Sequence, residues 1–144
     1  MSAVYELRRH SEVLLIERSA PTGFMPPLHR RDEEETYRVI SGSVIFFVDD
    51  QVVEAGEGDV VVARRGAART FMATSASARW LVQTRVSSLG RYIDFGRAVA
   101  PPLLTGGWPA ADELASVTAM AYANGIELLG PPGALPSDRR QQAA

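Results

Sequence analysis

Short β-prone segments separated by tight-turn residues recur along the first hundred residues of the chain. Apolar and β-branched residues dominate segments 13–18, 36–40, 43–48, 51–54, 59–63, 69–73 and 78–86, with Gly, Asp or Pro between most of them. Strands at this spacing are typical of an all-β sandwich or barrel. A chain of 144 residues suits one such domain, and two would be crowded.

The last third of the sequence predicts a helix. A proline precedes an acidic first turn, and Asn124-Gly125 ends the segment, so residues 109–124 match the usual start and stop signals. An apolar stripe along this helix predicts that it packs on the outside of the barrel. We expect one domain over residues 1–130 and a flexible tail over residues 131–144.

Composition excludes several classes of function. The net charge of −2 argues against a nucleic-acid partner, which favours a basic surface. There are no cysteines, so disulfides, thiolate metal sites and a cysteine nucleophile are excluded, and the lack of lysine removes Schiff-base chemistry. The sequence shows neither a signal-peptide pattern nor an apolar run of membrane-spanning length. We therefore expect a cytoplasmic protein with no membrane partner.

Two segments, 23–42 and 58–73, combine glycines with potential ligands at regular spacing. The residues concerned are Gly23, His29, Glu35, Gly42, Gly58 and Gly66. This arrangement resembles the two motifs of the cupin superfamily, in particular small bacterial cupins of the quercetin-dioxygenase-like kind. The resemblance implies a double-stranded β-helix, or jelly-roll, barrel with an internal pocket that takes a small molecule. It also implies a homodimer.

The metal-ligand positions of the family are only partly kept. Cupins of this kind usually hold a metal with three histidines and one glutamate, and the resemblance puts His29 and Glu35 at two of those positions. Arg31 and Arg69 stand at the other two. The only further histidine is His10, so a three-histidine site is excluded by count. We expect no metal and no other cofactor.

Residues two apart in a strand point to the same face of the sheet. The interior is therefore predicted to contain His29, Arg31, Glu35, Tyr37, Arg69 and Phe71. A guanidinium is permanently charged and is not a normal metal ligand. In one interpretation the two arginines replace the charge of the metal and pair with Glu35 in bidentate geometry, tying the strands together.

In a second interpretation the same residues are catalytic. Arg31 and Arg69 would stabilise an anionic group or a developing enolate. His29 would be the general acid or base because its unperturbed pKa lies near neutrality, and Glu35 would orient it or act as the base. Tyr37 would donate a hydrogen bond.

Apolar residues near these groups are candidates for binding substrate. They are Tyr37, Phe71, Val39, Phe46, Met25 and Trp80. Most such residues also suit a simple core, and both interpretations stay open. The acidic run 32–34 is interpreted as a solvated loop.

Three hypotheses for function follow. The first is a metal-independent cupin enzyme that cyclises, isomerises or dehydrates a small, polyketide-like molecule. The second is a metal-dependent dioxygenase that uses His29 and Glu35. The third is a small-molecule-binding module without catalytic activity.

Overall fold

The computed structural model describes residues 2–8, 13–85 and 109–138, and their side chains over 13–85, 109–110 and 112–138. The chain there forms ten strands and one helix longer than a single turn. They are β1 (Ser2–Arg8), β2 (Val13–Ala20), β3 (Pro27–Arg31), β4 (Glu35–Ser41), β5 (Val44–Val48), β6 (Gln51–Ala55), β7 (Val60–Ala63), β8 (Ala68–Ala73), β9 (Ala78–Arg85), α1 (Ala111–Ala123) and β10 (Ile126–Pro132).

The strands form two five-stranded sheets with antiparallel pairing throughout. One sheet has the order β1-β2-β9-β4-β7, and the other has the order β10-β3-β8-β5-β6. Apart from the consecutive pairs β1-β2 and β5-β6, neighbours in each sheet are far apart in sequence, as in a jelly roll. The predicted fold, a mainly β jelly roll with a C-terminal helix, is confirmed.

The core lies between the inward faces of the two sheets. In β5, Val44, Phe46 and Val48 are buried while the alternate residues are half-buried. In β9, Trp80 and Val82 are fully buried between exposed or half-exposed neighbours. This alternation gives β5 and β9 one apolar face each, and burying such faces drives the two sheets together.

The seven predicted strand segments correspond to strands of the structure, with ends shifted by one or two residues. The strand pattern did not predict β1, β3 or β10. Strand β10 contains Gly130 and two prolines, which weaken a strand signal; proline is tolerated there because β10 is an edge strand. It continues to Pro132, beyond the predicted end of the domain at residue 130.

Helix α1 leads through a tight turn at Asn124-Gly125 directly into β10, beside which it packs. Ala121 is its fully buried residue, whereas Met120 and Tyr122 are exposed. Among the residues described, no helix is long and apolar enough to cross a membrane.

Candidate functional site

A buried ion pair joins the two sheets. Glu35 opens β4 in one sheet and Arg69 lies in β8 of the other, and both are 2% exposed. Nη1 of Arg69 donates to Oε1 of Glu35 over 2.9 Å. The inward placement of Arg69 predicted from the strand period is therefore observed, and it brings the guanidinium onto Glu35.

The remaining nitrogens of Arg69 hold it to the backbone. Nη2 donates to the carbonyl of Arg64 over 2.6 Å, and Nε donates to the carbonyl of Ala67 over 3.2 Å. Only one nitrogen reaches Glu35, so the predicted bidentate geometry is wrong. The other two nitrogens of Arg69 donate to backbone carbonyls that precede β8, and these bonds fix the plane of the guanidinium group.

Arg31 ends β3 and is 8% exposed. Its Nε lies 4.0 Å from Oε1 of Glu35 and 3.7 Å from Oε2 of Glu33. Both distances exceed a hydrogen bond, so Arg31 acts on these carboxylates mainly through charge. Glu33 thus turns inward, and the interpretation of residues 32–34 as a wholly solvated loop is wrong at this position.

Electrostatics keep Glu35 ionised despite its burial. Desolvation raises the pKa of Glu35, but the charges of Arg31, Arg18 and Arg69 outweigh it and lower that pKa to about 2. Tyr37 donates from its hydroxyl to the same Oε1 over 2.8 Å. Burial and the adjacent Glu35 charge raise the pKa of Tyr37. The predicted hydrogen-bond donor is present, and Glu35 is its acceptor.

His29 lies in β3, half-buried, opposite Arg69 in the paired register. Its Nδ1 is 2.9 Å from the carbonyl oxygen of Pro27, which can only accept, so the neutral ring carries its proton on Nδ1. Nε2 therefore presents a lone pair. Desolvation and the Arg31 charge lower the pKa of His29 to about 4. His29 is therefore neutral at pH 7 and does not titrate near neutrality, as the sequence had predicted it would.

Aromatic side chains fill the interior beside the charged cluster. Tyr37 stacks on Phe46 with centroids 4.8 Å apart, and Phe71 meets Trp80 edge-on at 4.8 Å. Val39 is 1% exposed in the same cluster. The structure thus groups five of the six predicted substrate-binding residues. The sixth, Met25, lies half-buried in the segment between β2 and β3.

Arg18 is an interior charge that sequence reasoning missed. Its strand, β2, alternates between buried and less buried residues from Leu14 to Ile16, and Arg18 continues the inward series. The same i, i+2 rule that placed Arg31 would have found it. Arg18 lies outside both motif segments, 23–42 and 58–73.

The interior charges do not suit the metal that the resemblance to cupins implies. In the described part of the chain, no group of three His, Asp or Glu side chains is placed to bind an ion. Guanidinium groups occupy two of the ligand positions and already neutralise Glu35. A dication beside His29 and Glu35 would face repulsion from these fixed cations. His10, the other candidate ligand, lies outside the described residues.

Known proteins share this fold at low sequence identity. Residues 15–84 match the family model of the cupin domain. A cupin 2 conserved barrel domain protein from Rhodopseudomonas palustris superposes with a TM-score of 0.55 at 13% identity, over 60% of each chain. KdgF from Halomonas sp. superposes with a TM-score of 0.55 at 10% identity, over 62% of this chain and 80% of the KdgF chain.

The cupin domain of Cnp3 from Schizosaccharomyces pombe gives a TM-score of 0.54 at 13% identity, covering 65% of this chain and 69% of that one. Some matched structures are longer, so that this chain covers only 41% of one of them, a DMSP lyase from Ruegeria pomeroyi. The sequence has no match among curated proteins. At these identities the structural likeness shows the fold alone, and the cupin-domain model matches residues 15–84, just under half of the 144-residue chain.

Proposed function

We propose that this protein is a metal-independent enzyme that removes a proton from a small carbonyl compound and stabilises the enolate with a fixed guanidinium charge. The observation that carries the proposal is the pairing of Arg31 and Arg69 with Glu35 beside a neutral His29. Two arginines supply positive charge where related proteins hold a metal. The histidine supplies a lone pair on the same inward face of β3 as Arg31.

The reaction begins at Nε2 of His29. This nitrogen takes a proton from the carbon next to the carbonyl group. The electron pair of the C–H bond forms the C=C bond of the enolate, and the π pair of the C=O bond moves to the carbonyl oxygen. Arg31 neutralises the enolate oxygen, because its buried guanidinium carries a permanent positive charge on the same inward face as His29. An oriented donor of this kind contributes about 3–4 kcal/mol to a barrier.

The fate of the enolate sets the outcome. Returning the proton to another carbon isomerises the substrate. If a β-hydroxyl leaves, it takes the proton of the imidazolium and departs as water, and the substrate is dehydrated. If the enolate carbon attacks a second carbonyl group of the same molecule, a ring closes. The aromatic wall of Tyr37, Phe46, Phe71 and Trp80 suits an aromatic, polyketide-like substrate.

The test measures proton abstraction without needing the natural substrate. The purified protein is dialysed against EDTA, its metal content is measured, and α-hydrogen exchange of α-tetralone in D2O is followed by NMR. We expect catalysed exchange in the metal-free protein. His29→Gln should lower the rate by about 10²-fold.

The variant Arg31→Met tests the role of the interior charge, and Arg38→Met is its matched control. Arg38 is exposed on β4, so its loss changes the net charge equally without touching the interior. Only the Arg31 variant should lose exchange. A rate that rises with bound metal, or one unchanged in the His29 variant, contradicts the proposal and favours a metal-dependent activity or none.

A binding protein without turnover is the second candidate. The low pKa of His29, about 4, favours it, because such a ring is a weak base. Saturable binding of α-tetralone with no exchange above the buffer rate supports this candidate.

A further inference from the structure

Two buried hydrogen-bond donors in the interior have no acceptor within the described structure. One is Nε of Arg18 and the other is the indole Nε1 of Trp80, whose side chain is 1% exposed. Neither residue belongs to the ion-pair network of Arg69 and Glu35 described above. Leaving a buried donor unpaired costs free energy, and such groups call for an explanation.

These two donors are neighbours. Arg18 in β2 pairs directly with Trp80 in β9, and residues directly opposite in an antiparallel pair extend from the same face. The alternate residues confirm which face this is. Glu17 and Arg79 form an ion pair on the outer surface, so Arg18 and Trp80 face inward.

The interior also carries a surplus of positive charge. Three guanidinium groups, those of Arg18, Arg31 and Arg69, face the carboxylates of Glu35 and Glu33. All three lower the pKa of Glu35, so all three act within one electrostatic field. One cation is therefore left uncompensated by the acidic residues of the cluster.

We propose that Arg18 and Trp80 form a subsite for an anionic oxygen of the ligand, a carboxylate on an aromatic molecule. Nε of Arg18 and Nε1 of Trp80 donate to this group, and its charge balances the surplus cation. The adjacent rings of Phe71 and Phe46 pack against the aromatic part of the ligand. This inference deepens the proposed function by naming the substrate class, and in that sense it rests on it.

The experiment uses benzoate as the probe and benzamide, its neutral analogue, as the comparison. The chain has two tryptophans, so a ¹⁵N-labelled protein shows two indole N–H signals, and Trp108→Phe assigns them. We expect benzoate to shift the Trp80 indole signal in a saturable way at millimolar concentration. Benzamide should bind at least 10-fold more weakly.

Arg18→Met tests the second donor. It should weaken benzoate binding at least 10-fold while leaving the weak benzamide binding unchanged. The matched control is Arg38→Met, which removes the same charge from an exposed position. Benzoate binding in this control should equal that of the unmodified protein.

Three results overturn the inference. They are an indole signal of Trp80 that does not move with benzoate, equal binding of benzoate and benzamide, and an Arg18→Met variant that binds benzoate normally. The outcome is separable from that of the α-tetralone test. If benzoate binds through Arg18 and Trp80 but no hydrogen exchange is catalysed, the subsite is retained and the proposed enzyme activity is rejected. If exchange is catalysed but benzoate does not bind, the enzyme activity is retained and the subsite is rejected.

Discussion

Arg69 in β8 and Glu35 in β4 meet across the interior over 2.9 Å, and this contact connects the two sheets through fully buried charges. Each partner has further bonds that hold it in place. Arg69 is held by two backbone carbonyls and Glu35 by the hydroxyl of Tyr37. The pair is therefore part of the folded framework as well as of the candidate site.

Removing one partner of this pair should destabilise the protein strongly. Arg69→Met leaves Glu35 buried with less compensation, and we expect a loss of about 3–5 kcal/mol in the free energy of unfolding. Urea denaturation measures it. Adding Glu35→Gln to the same chain should recover part of the loss, because the uncompensated charge is gone.

An exposed pair provides the control for this prediction. Arg79 pairs with Glu17 on the outer surface, and Arg79→Met should cost less than about 1 kcal/mol. Equal losses for the two arginine variants would show that burial adds nothing to the Arg69 contact.

Tyr37→Phe should separate the hydrogen bond from the packing. Phenylalanine keeps the stacking on Phe46, with its 4.8 Å centroid distance, and loses only the donor to Glu35. Because the acceptor is charged, we expect a loss of about 1.5–3 kcal/mol in urea denaturation. A variant as stable as the unmodified protein would mean that Arg69 alone satisfies Glu35.

His29 should stay neutral well below the usual range. Its pKa of about 4 lies under the usual histidine value of 6.5, so the unfolded state binds more protons between these values. Stability therefore rises with pH from about 4 to 6.5 and is fully present above 6.5. The chain has two histidines, so NMR titration of His29 is simple to assign with His10→Gln. A midpoint near 6.5 for His29 contradicts the structure.

The loss of folding stability as pH falls below 4.5 should come largely from Glu35. The pKa of Glu35 in the folded protein, about 2, lies below the usual glutamate value of 4.5. Its contribution to stability is therefore complete above pH 4.5 and is lost as pH falls towards 2. In the Glu35→Gln variant the urea midpoint should depend less on pH across this window. The control is His29→Gln, which retains Glu35 and should keep the steeper dependence. An unchanged slope in the Glu35 variant assigns the acid loss to other carboxylates.

Gly42 should tolerate substitution less well than Gly58. Both glycines have positive φ, 75° and 86°, so alanine is strained at each. A Cβ at Gly42 also meets Oγ of Ser75 and lies 2.9 Å from Cα of Ala78, whereas Gly58 has open space. We expect Gly58→Ala to cost about 1–2 kcal/mol and Gly42→Ala clearly more, by urea denaturation. Equal costs would show that the backbone near Ala78 yields freely.

The strand period was enough to predict much of the site. It placed Arg31, Glu35, Tyr37, Arg69 and Phe71 on inward faces, and all five are buried. The reason is geometric, since a strand directs every second side chain to one side regardless of its partners. Arg18, which the motif-based prediction lacks, obeys the same rule, because it follows Leu14 and Ile16 on the inward face of β2.

The sequence by itself determined the fold class, the lack of a three-histidine site and the permanent charges of the interior, because these follow from residue type and local period. The tertiary structure alone decided which groups pair and how each one ionises. Glu35 and Arg69 are 34 residues apart in the chain, and only the meeting of two sheets brings them within 2.9 Å. The pKa of His29 depends on desolvation and on the neighbouring guanidiniums, and such fields exist only once distant strands have closed around it.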